Sequence, residues 1–313
     1  MGGGAWDTGA YHSSRSTRAA TGVKDFDYTT TATKVHASLD PRRIADKPCK
    51  KLEARDSTEH PETNPVLVCF DVTGSNYARA IDAQQRLPHL MDLLNKYLTG
   101  PQVAVAANDD VNYVGANAVQ ISDFESDNRV DDHIRNIWLT REGGGNDGES
   151  YDLILYAAAR KVALDSVEKR GKKGYLFLYA DEPIFPQVKK GEVEQVYGDT
   201  LERDIPIAEI LEEARRNFNV FLIWPEGGYD HARKQFISLV GEESVLVLQH
   251  PNLICELIAS TIGLYEAKAT PESVVTDLVA VGVSDNEAQA LARTTAHAAS
   301  ALAPTSARKA ARL

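Results

Sequence analysis

Short, continuously apolar segments alternate with longer amphipathic segments through most of this 313-residue chain. The apolar segments include Val66–Phe70, "QVAVAAN", "GYLFLYAD" and "NVFLIWP". A strand that is apolar at every position is buried on both faces, as in a parallel sheet covered by helices. The pattern therefore predicts a doubly wound α/β fold, with a mostly parallel sheet and helices on both faces.

The amphipathic segments predict helices that cover this sheet. We expect one long helix over residues 78–98, with a kink at Pro88, and a second over about 151–167. A third helix is expected over about 201–216.

The composition changes twice along the chain and predicts three parts. Residues 1–63 are rich in Gly, Ser, Thr, Asp and Arg, which is typical of a polar arm that is disordered when free or extended along a surface. Residues 64–266 carry the alternating pattern. Residues 267–313 predict a helical extension with two short helices, the first starting at Pro271 and the second capped by Ser284 or Asp285. Four aromatic residues are spaced along the arm like anchors: Trp6, Tyr11, Phe26 and Tyr28.

Charge and cysteine content argue against several classes of protein. The formal net charge is −11 and the sequence pI is about 5.3, whereas nucleic-acid-binding surfaces are usually basic. Cys49, Cys69 and Cys255 have no close spacing, so we expect free thiols in a reducing compartment rather than a disulfide framework. No apolar run approaches the ~20 residues that span a membrane. We therefore expect a cytoplasmic protein, or one associated with a virion or another assembly, without nucleic-acid or membrane partners.

Three segments place polar side chains near the ends of predicted strands. "FDVTGS" ends the first strand of the pattern, "GGGNDGES" precedes a long helix, and "YADEP" closes another strand. Ligands of open α/β sheets bind outside the carboxyl ends of the strands. We therefore expect these three segments to meet at one edge of the sheet.

The residues in these segments predict a site for a hard divalent cation. Asp71, Thr73 and Ser75 alternate along one loop, and Gly74 permits a tight turn there. Asp181 adds a carboxylate from a separate strand. Mg²⁺ prefers such oxygen ligands, and Mn²⁺ or Ca²⁺ are the alternatives. With only two charged ligands, the cation would remain able to bind a carboxylate from another molecule.

Simpler roles compete with metal binding for the same residues. A carboxylate near a helix N-terminus contributes ~0.3–1 kcal/mol, so Asp71 is also a candidate helix cap. Ser75 is a good N-cap residue as well. The "GGGN" segment could hold a phosphate at a helix N-terminus, but it lacks both the GxGxxG pattern and the Walker lysine.

The motifs resemble those of von Willebrand factor A (VWA) domains. "DVTGS" resembles the Asp-x-Ser/Thr-x-Ser motif that opens their metal-ion-dependent adhesion site, and "FLYADEP" resembles the fourth-strand motif whose aspartate completes it. The resemblance covers about residues 65–265. It implies a VWA-like fold and a cation held by Asp71, Thr73, Ser75 and Asp181.

The resemblance is greatest to a little-characterised group of bacterial and phage A-domain proteins. It rests on the motifs "DSTEHPETNPVLVCFDVTGSN", "FESDNRVDD", "GGGNDGESYDLI" and "EKRGKKGYLFLYADE". The chain departs from typical A domains at the middle-loop threonine, which falls on about Gly145. The candidates to replace that ligand are Asn146, Asp147, Glu149 and water. Asn76 replaces the usual methionine, and "ANDDV" leaves Asp109 as a carboxylate that could support the ligands.

The resemblance implies a protein–protein interaction module in which a partner supplies an acidic residue. In bacteria, such domains often act beside AAA+ ATPases of the MoxR type, so such an ATPase is one expected partner. A structural role in a phage or bacterial particle, as a homo-oligomer or within a larger assembly, is an open alternative. Haloacid-dehalogenase-type phosphotransferases also use Mg²⁺ and a strand-end aspartate, but they need a second acid where Thr73 stands. We therefore expect no enzyme and predict no catalytic residues.

Overall fold

Ten strands and fourteen helices make up the part of the chain that the computed structural model describes, which is residues 4–74, 76–140 and 148–302. The strands are β1 (Leu52–Ala54), β2 (Asn64–Asp71), β3 (Pro101–Asn108), β4 (Val119–Ile121), β5 (Val162–Leu164), β6 (Gly174–Tyr179), β7 (Gln187–Val188), β8 (Ile205–Pro206), β9 (Phe218–Pro225) and β10 (Val245–Leu248). The helices are α1 (Thr8–Ala20), α2 (Asp27–Thr31), α3 (Ala78–Gln85), α4 (Leu87–Tyr97), α5 (Val111–Val114), α6 (Arg129–Arg135), α7 (Tyr151–Arg160), α8 (Asp165–Arg170), α9 (Lys190–Tyr197), α10 (Ile207–Asn217), α11 (Asp230–Val240), α12 (Ile254–Tyr265), α13 (Pro271–Ala280) and α14 (Asp285–Leu302). Among these described helices, none has the length and apolar character needed to cross a bilayer.

A six-stranded sheet lies at the centre, in the order β10–β9–β6–β2–β3–β4. Its neighbouring strands pair in parallel except β3 and β4, which are antiparallel at one edge. The short strands β1 and β5 pair separately, as do β7 and β8. This topology confirms the predicted α/β fold with a mostly parallel sheet.

Side chains of β2 alternate between two cores on opposite faces of the sheet. Val66, Val68 and Phe70 belong to the core that also includes residues of α3, α4 and α12. Leu67 and Cys69 belong to the core that includes residues of α7 and α10. Burial on both faces explains why the strand is apolar throughout, since each buried Val, Leu or Phe stabilises the fold by ~1.5–3 kcal/mol.

The helix predicted over residues 78–98 is in fact two helices, α3 and α4, which meet at Arg86. Pro88 lies in the first turn of α4, where its missing N–H removes no helical hydrogen bond. The break leaves the Gln84 carbonyl to accept a hydrogen bond of 2.6 Å from the Tyr11 hydroxyl. Pro88 therefore starts a new helix rather than bending one.

Two other helix predictions were wrong at their boundaries. The helix predicted over 151–167 ends at Arg160, because the chain then enters β5 and pairs in parallel with β1. The helix predicted over 201–216 begins at Ile207, after Pro206 of β8. The sequence pattern also failed to predict α9 and the β7–β8 pair, which lie between α7 and α10 along the chain.

The N-terminal segment differs most from the expected arm. Asp7 caps α1 by accepting a hydrogen bond of 2.8 Å from the Ala10 N–H. Tyr11, Phe26 and Leu39 are buried in the core on the α4 side of the sheet. Ile44 is buried in the core on the α7 side. The segment carries few large apolar residues, but enough of them are buried to fix it against both layers. The division of the chain into three domains stays a prediction.

The C-terminal residues that the structure describes form the two helices expected from their sequence. Thr270 caps α13, which starts at Pro271, by accepting a hydrogen bond of 3.2 Å from the Ser273 N–H. The second helix, α14, starts at Asp285. Leu278 and Leu291 join the core that contains α12, so both helices extend the layer on that face.

The three cysteines are free thiols, as predicted. Cys69 and Cys255 are buried, whereas Cys49 is half-buried. Burial raises the pKa of the Cys69 and Cys255 thiols well above the usual value, because the thiolate would lose its solvation. Both therefore act as small apolar side chains.

Asp152 in the first turn of α7 predicts a pH-dependent cost in stability. Its side chain is fully buried, and both carboxyl oxygens lack a well-formed hydrogen bond from the described residues. Burial raises its pKa well above the usual value, the charge of Glu192 raises it further, and nearby backbone N–H groups offset only part of this. A raised carboxyl pKa in the folded state means that stability falls as pH rises above about 4, where the unfolded chain ionises.

Replacing Asp152 with Asn should therefore raise the melting temperature, and the gain should be larger at pH 8 than at pH 5. Thermal unfolding followed by circular dichroism at both pH values measures the effect. Asp46→Asn, at an exposed position, is the control and should show no such pH-dependent gain. A gain that is equal at the two pH values would show that Asp152 is ionised in the folded protein.

Candidate metal centre

The centre of the site lies where the direction of the chain connections reverses along the sheet. From β2 the chain proceeds to β3 and β4 on one side, whereas from β6 it proceeds to β9 and β10 on the other. The carboxyl ends of β2 and β6 therefore flank a topological switch point, the usual ligand position in such folds. Asp71 is the last residue of β2, and Asp181 follows the end of β6 by two residues. The fold brings together the two carboxylates that the sequence predicts as ligands.

Asp71 is fully buried and holds the loop that follows β2. Its Oδ1 accepts hydrogen bonds from the Thr73 N–H (2.8 Å) and the Thr73 hydroxyl (2.6 Å). Burial raises the pKa of Asp71 to about 7, and the charge of Asp181 adds to this, while hydrogen bonds from Thr73 and Tyr151 oppose it. Thr73 thus lies beside Asp71, as the predicted ligand pair requires.

Tyr151 joins the ends of the two strands. Its hydroxyl donates to Asp71 Oδ2 at 2.6 Å and accepts from the backbone N–H of Asp181 at 3.4 Å. The ring is fully buried and packs against Phe236, with the ring centroids 6.0 Å apart. Burial raises the pKa of Tyr151 well above its usual value, and the charge of Asp71 adds to the shift, so the hydroxyl keeps its proton.

Asp181 is half-buried and contacts the loop that leads into α3. Its Oδ1 accepts a hydrogen bond of 2.8 Å from Asn76 Nδ2. The Tyr179 hydroxyl donates in turn to Asn76 Oδ1 at 3.4 Å. Burial raises the pKa of Asp181, and the Asn76 hydrogen bond limits the rise. Asn76 therefore orients the second carboxylate.

Glu149 supplies a third buried carboxyl group near Asp71. Its backbone N–H donates to the Pro183 carbonyl at 3.0 Å, which holds it beside the loop that follows Asp181. The side chain is buried, and Oε2 has no hydrogen-bond partner among the described residues. Burial raises the pKa of Glu149 to about 10, and the charges of Asp71 and Asp109 are the next causes. A buried carboxyl oxygen without a partner is what a cation ligand would look like before its cation is added.

Asp109 lies one position beyond β3 and is engaged by neighbouring groups. Its Oδ2 accepts a hydrogen bond from the Thr140 hydroxyl, and its Oδ1 accepts one of 2.7 Å from the Asp110 N–H. The Thr140 hydroxyl is also 3.4 Å from the Val72 carbonyl, next to Asp71. Through Thr140, Asp109 thus connects the end of β3 to the loop that follows Asp71, and its role in supporting metal ligands stays a prediction.

Three predicted ligands, Ser75, Asn146 and Asp147, lie outside the described residues, as does position 145. Within the described ranges, no three His, Cys, Asp or Glu side chains are gathered so that they could hold a metal ion by themselves. A cation here would therefore need hydroxyl or water ligands beside Asp71 and Asp181. Such a mixed set is what Mg²⁺ commonly uses in proteins.

The competing interpretation of Asp71 as a helix cap is not what the structure has. The residue that precedes α3 is Tyr77, and no side chain caps that helix among the described residues. Asp71 instead accepts hydrogen bonds from Thr73 and Tyr151. Its carboxylate is therefore committed to the strand-end cluster rather than to the helix.

Sequence reasoning missed the roles of Tyr151, Thr140 and Asn76. Tyr151 follows Glu149 and Ser150 at the start of a helix, and a polar aromatic residue there reads as ordinary helix packing. Thr140 lies in a segment without periodic pattern. Asn76 follows the "DVTGS" segment directly, but its contact with Asp181 does not follow from that position. The signal that these residues share is a hydroxyl or amide within a few residues of a predicted ligand segment.

No protein family and no curated protein matches this sequence. Solved structures do match its fold. The pilus adhesin SpaC from Lactobacillus rhamnosus GG, in its open conformation, is 12% identical with a TM-score of 0.44 over 67% of this chain. The proximal thread matrix protein 1 from the mussel byssus is 13% identical, with a TM-score of 0.43 over 66% of this chain. A von Willebrand factor type A protein from Catenulispora acidiphila is 16% identical, with a TM-score of 0.38 over 64% of this chain.

These matches cover only part of each of those proteins. The chain spans 31% of the adhesin, 48% of the byssus protein and 42% of the Catenulispora protein.

Proposed function

We propose that the protein is a divalent-cation-dependent module for protein–protein interaction. The observation that carries the proposal is the meeting of Asp71 and Asp181 at the switch point of the sheet, joined through the Tyr151 hydroxyl. Mg²⁺ is the cation that we favour, with Mn²⁺ or Ca²⁺ as alternatives, because the candidate ligand atoms are all oxygens.

Asp71, Thr73 and Asp181 would hold the cation, with Ser75 as a further sequence-predicted ligand. The Thr73 hydroxyl donates a hydrogen bond to Asp71, and the lone pairs of the hydroxyl oxygen remain available to a cation. Glu149, whose buried Oε2 lacks a partner among the described residues, is the candidate for the middle-loop position and would reach the cation through a water molecule, because no three acidic side chains are gathered in the described ranges. Bound there, the cation would supply a positive charge that attracts an outside carboxylate.

The partner that fits such a site is a protein that presents an acidic side chain. The chain itself is strongly acidic, with a net charge of −11, so without the cation an acidic partner would be repelled. A MoxR-type AAA+ ATPase is one candidate partner, and a neighbouring subunit of a phage or bacterial assembly is the other. In each case the cation is the element that makes the contact possible.

We favour binding over Mg²⁺-dependent phosphotransfer for a reason of local geometry. The position where such an enzyme needs its second acid holds Thr73, and the Thr73 side chain donates a hydrogen bond to Asp71. Asp71 Oδ1, the oxygen that accepts it, also accepts the Thr73 N–H. This arrangement provides no general acid at that position.

Thermal unfolding in the presence of Mg²⁺ tests the proposal. A cation that binds only the folded state stabilises it by about 2.7 kcal/mol at one hundred times its dissociation constant. We expect the melting temperature of the wild type to rise with Mg²⁺ and to fall back with EDTA. Asp71→Asn and Asp181→Asn should each abolish the rise, because each removes one of two charged ligands.

Asp199→Asn is the matched control for these substitutions. Asp199 also accepts a tyrosine hydroxyl, but it contacts Lys161 just beyond the other end of α7 from Tyr151. This variant should keep the full Mg²⁺-induced shift, whatever its own melting temperature. A shift that survives in Asp71→Asn would show that the cation binds elsewhere, and the proposed function would then lose its basis.

A further inference from the structure

We infer that Tyr151 is a positioning residue that sets cation affinity at this site; the inference rests on the proposed function. Tyr151 was not among the ligands predicted from the sequence, and its hydroxyl contacts both strand ends. The ring is fully buried at the first residue of α7. A side chain fixed in this way determines where its hydroxyl lies.

The hydrogen-bonding capacity of Asp71 explains why this hydroxyl matters. A carboxylate has about four lone-pair sites on its two oxygens. Among the described residues, Thr73 donates two hydrogen bonds to Oδ1, and Tyr151 donates one to Oδ2. One site on Oδ2 then remains for a cation, and the Tyr151 hydroxyl determines the direction in which it points.

The same hydroxyl ties the Asp71 carboxylate to the loop of Asp181. It accepts the Asp181 N–H at 3.4 Å while it donates to Asp71 at 2.6 Å. The two charged ligands thus share one rigid intermediary. Without the hydroxyl, Asp71 could rotate about its side-chain bonds, and the strand-end loops would lose their common anchor.

The Tyr151 hydroxyl donates to the Asp71 carboxylate at 2.6 Å, so this hydrogen bond involves a group that can carry a charge. Hydrogen bonds that involve a charged group are stronger than neutral ones. The loss of such a hydrogen bond at a carboxylate typically lowers the equilibrium constant that depends on it by at least about tenfold. Tyr151→Phe removes this one hydroxyl and keeps the ring that packs on Phe236.

The chain offers a closely matched control on the same helix. The Tyr156 hydroxyl donates to Asp199 Oδ2 at 2.6 Å, the same distance as in the Tyr151–Asp71 pair. Tyr156 lies five residues further along α7, and its ring packs at a tilt of 46° against Tyr197, with centroids 5.2 Å apart. Tyr156→Phe therefore deletes an equivalent tyrosine–aspartate hydrogen bond away from the candidate site.

The experiment measures Mg²⁺ binding by isothermal titration calorimetry at 25 °C for the full-length wild type, Tyr151→Phe and Tyr156→Phe. Melting temperatures without Mg²⁺ are recorded in parallel. We expect Tyr151→Phe to bind Mg²⁺ at least about tenfold more weakly and Tyr156→Phe to bind as tightly as the wild type. Both variants should remain folded at 25 °C.

The possible outcomes separate this inference from the proposed function. If the wild type binds Mg²⁺ and Tyr151→Phe binds it equally well, Tyr151 has only a structural role and the inference is overturned. Equal weakening in both variants would also overturn it, because the effect would then be one of general stability. If the wild type shows no saturable Mg²⁺ binding, the proposed function fails and takes the inference with it.

Discussion

A chain that begins at Asn64 is expected to lose its cooperative fold. The deletion removes five large buried side chains that belong to the two cores: Tyr11, Phe26, Leu39, Ile44 and Leu52. At ~1.5–3 kcal/mol for each, their burial contributes roughly 8–15 kcal/mol. That is comparable with the whole stability of a typical domain, ~5–15 kcal/mol. Circular dichroism and size-exclusion chromatography of the truncated chain measure the result.

Two single substitutions calibrate this expectation within the full-length chain. Leu39→Ala should cost about 2–5 kcal/mol, because it opens a cavity at a fully buried position. Val23→Ser, at an exposed position of the same segment, should leave the melting temperature nearly unchanged. A truncated chain that stays monomeric and unfolds cooperatively near the wild-type temperature would show that the first 63 residues form a dispensable arm after all.

Arg86→Ala is expected to destabilise the protein by about 3 kcal/mol in urea unfolding. Arg86 Nη1 lies 2.7 Å from Oε1 of Glu256, whose side chain is fully buried. His89 Nδ1 contacts the same oxygen at 2.6 Å, and Oε2 has no hydrogen-bond partner among the described residues. Removing the guanidinium would therefore leave a buried carboxylate with much of its charge unbalanced.

The double variant Arg86→Ala/Glu256→Gln should recover part of that loss, since it also removes the buried charge. Arg203→Ala is the surface control. Arg203 pairs with Glu209 at 2.6 Å, but both side chains are well exposed, so we expect a much smaller loss of stability than for Arg86→Ala. If Arg86→Ala costs no more than Arg203→Ala, then the Arg86–Glu256 pair does not stabilise the fold more than a surface pair does.

The fold was predictable from sequence wherever burial left a periodic pattern. The continuous apolar character of β2 follows from its position between β3 and β6, with helices on both faces. Short elements left no such pattern. The three-residue strands β1 and β5 are defined by their pairing with each other, and nothing local in "VAL" at positions 162–164 separates a strand from the end of a helix. The helix boundary at Arg160 therefore could not be predicted.

The N-terminal segment shows a related limit of compositional reasoning. Its low content of large apolar residues is typical of disorder, yet packing depends on where the few are placed. Tyr11 donates to the Gln84 carbonyl, one residue before α3 ends at Gln85. Such complementarity between distant segments is a property of the tertiary structure.

The candidate site divides in the same way. The placement of Asp71, Thr73 and Asp181 at one edge of the sheet was predictable, because each follows or ends an apolar strand and parallel strands end at a common edge. Tyr151 and Thr140 could not be assigned, because their roles depend on the direction in which a side chain points across 80 and 31 residues of sequence, respectively. Asn76 lay next to a ligand motif, but its partner Asp181 is 105 residues away.

The candidate site lies at a sheet edge between the two cores that cover opposite faces of the sheet. Asn76 lies just before α3, on one face, while Tyr151 begins α7, on the other, and each contacts Asp181. The end of β6 is thus held by residues from the helical layers on both faces of the sheet. A ligand bound at this position would connect the two helical layers, and a force applied to either layer would act on the bound ligand.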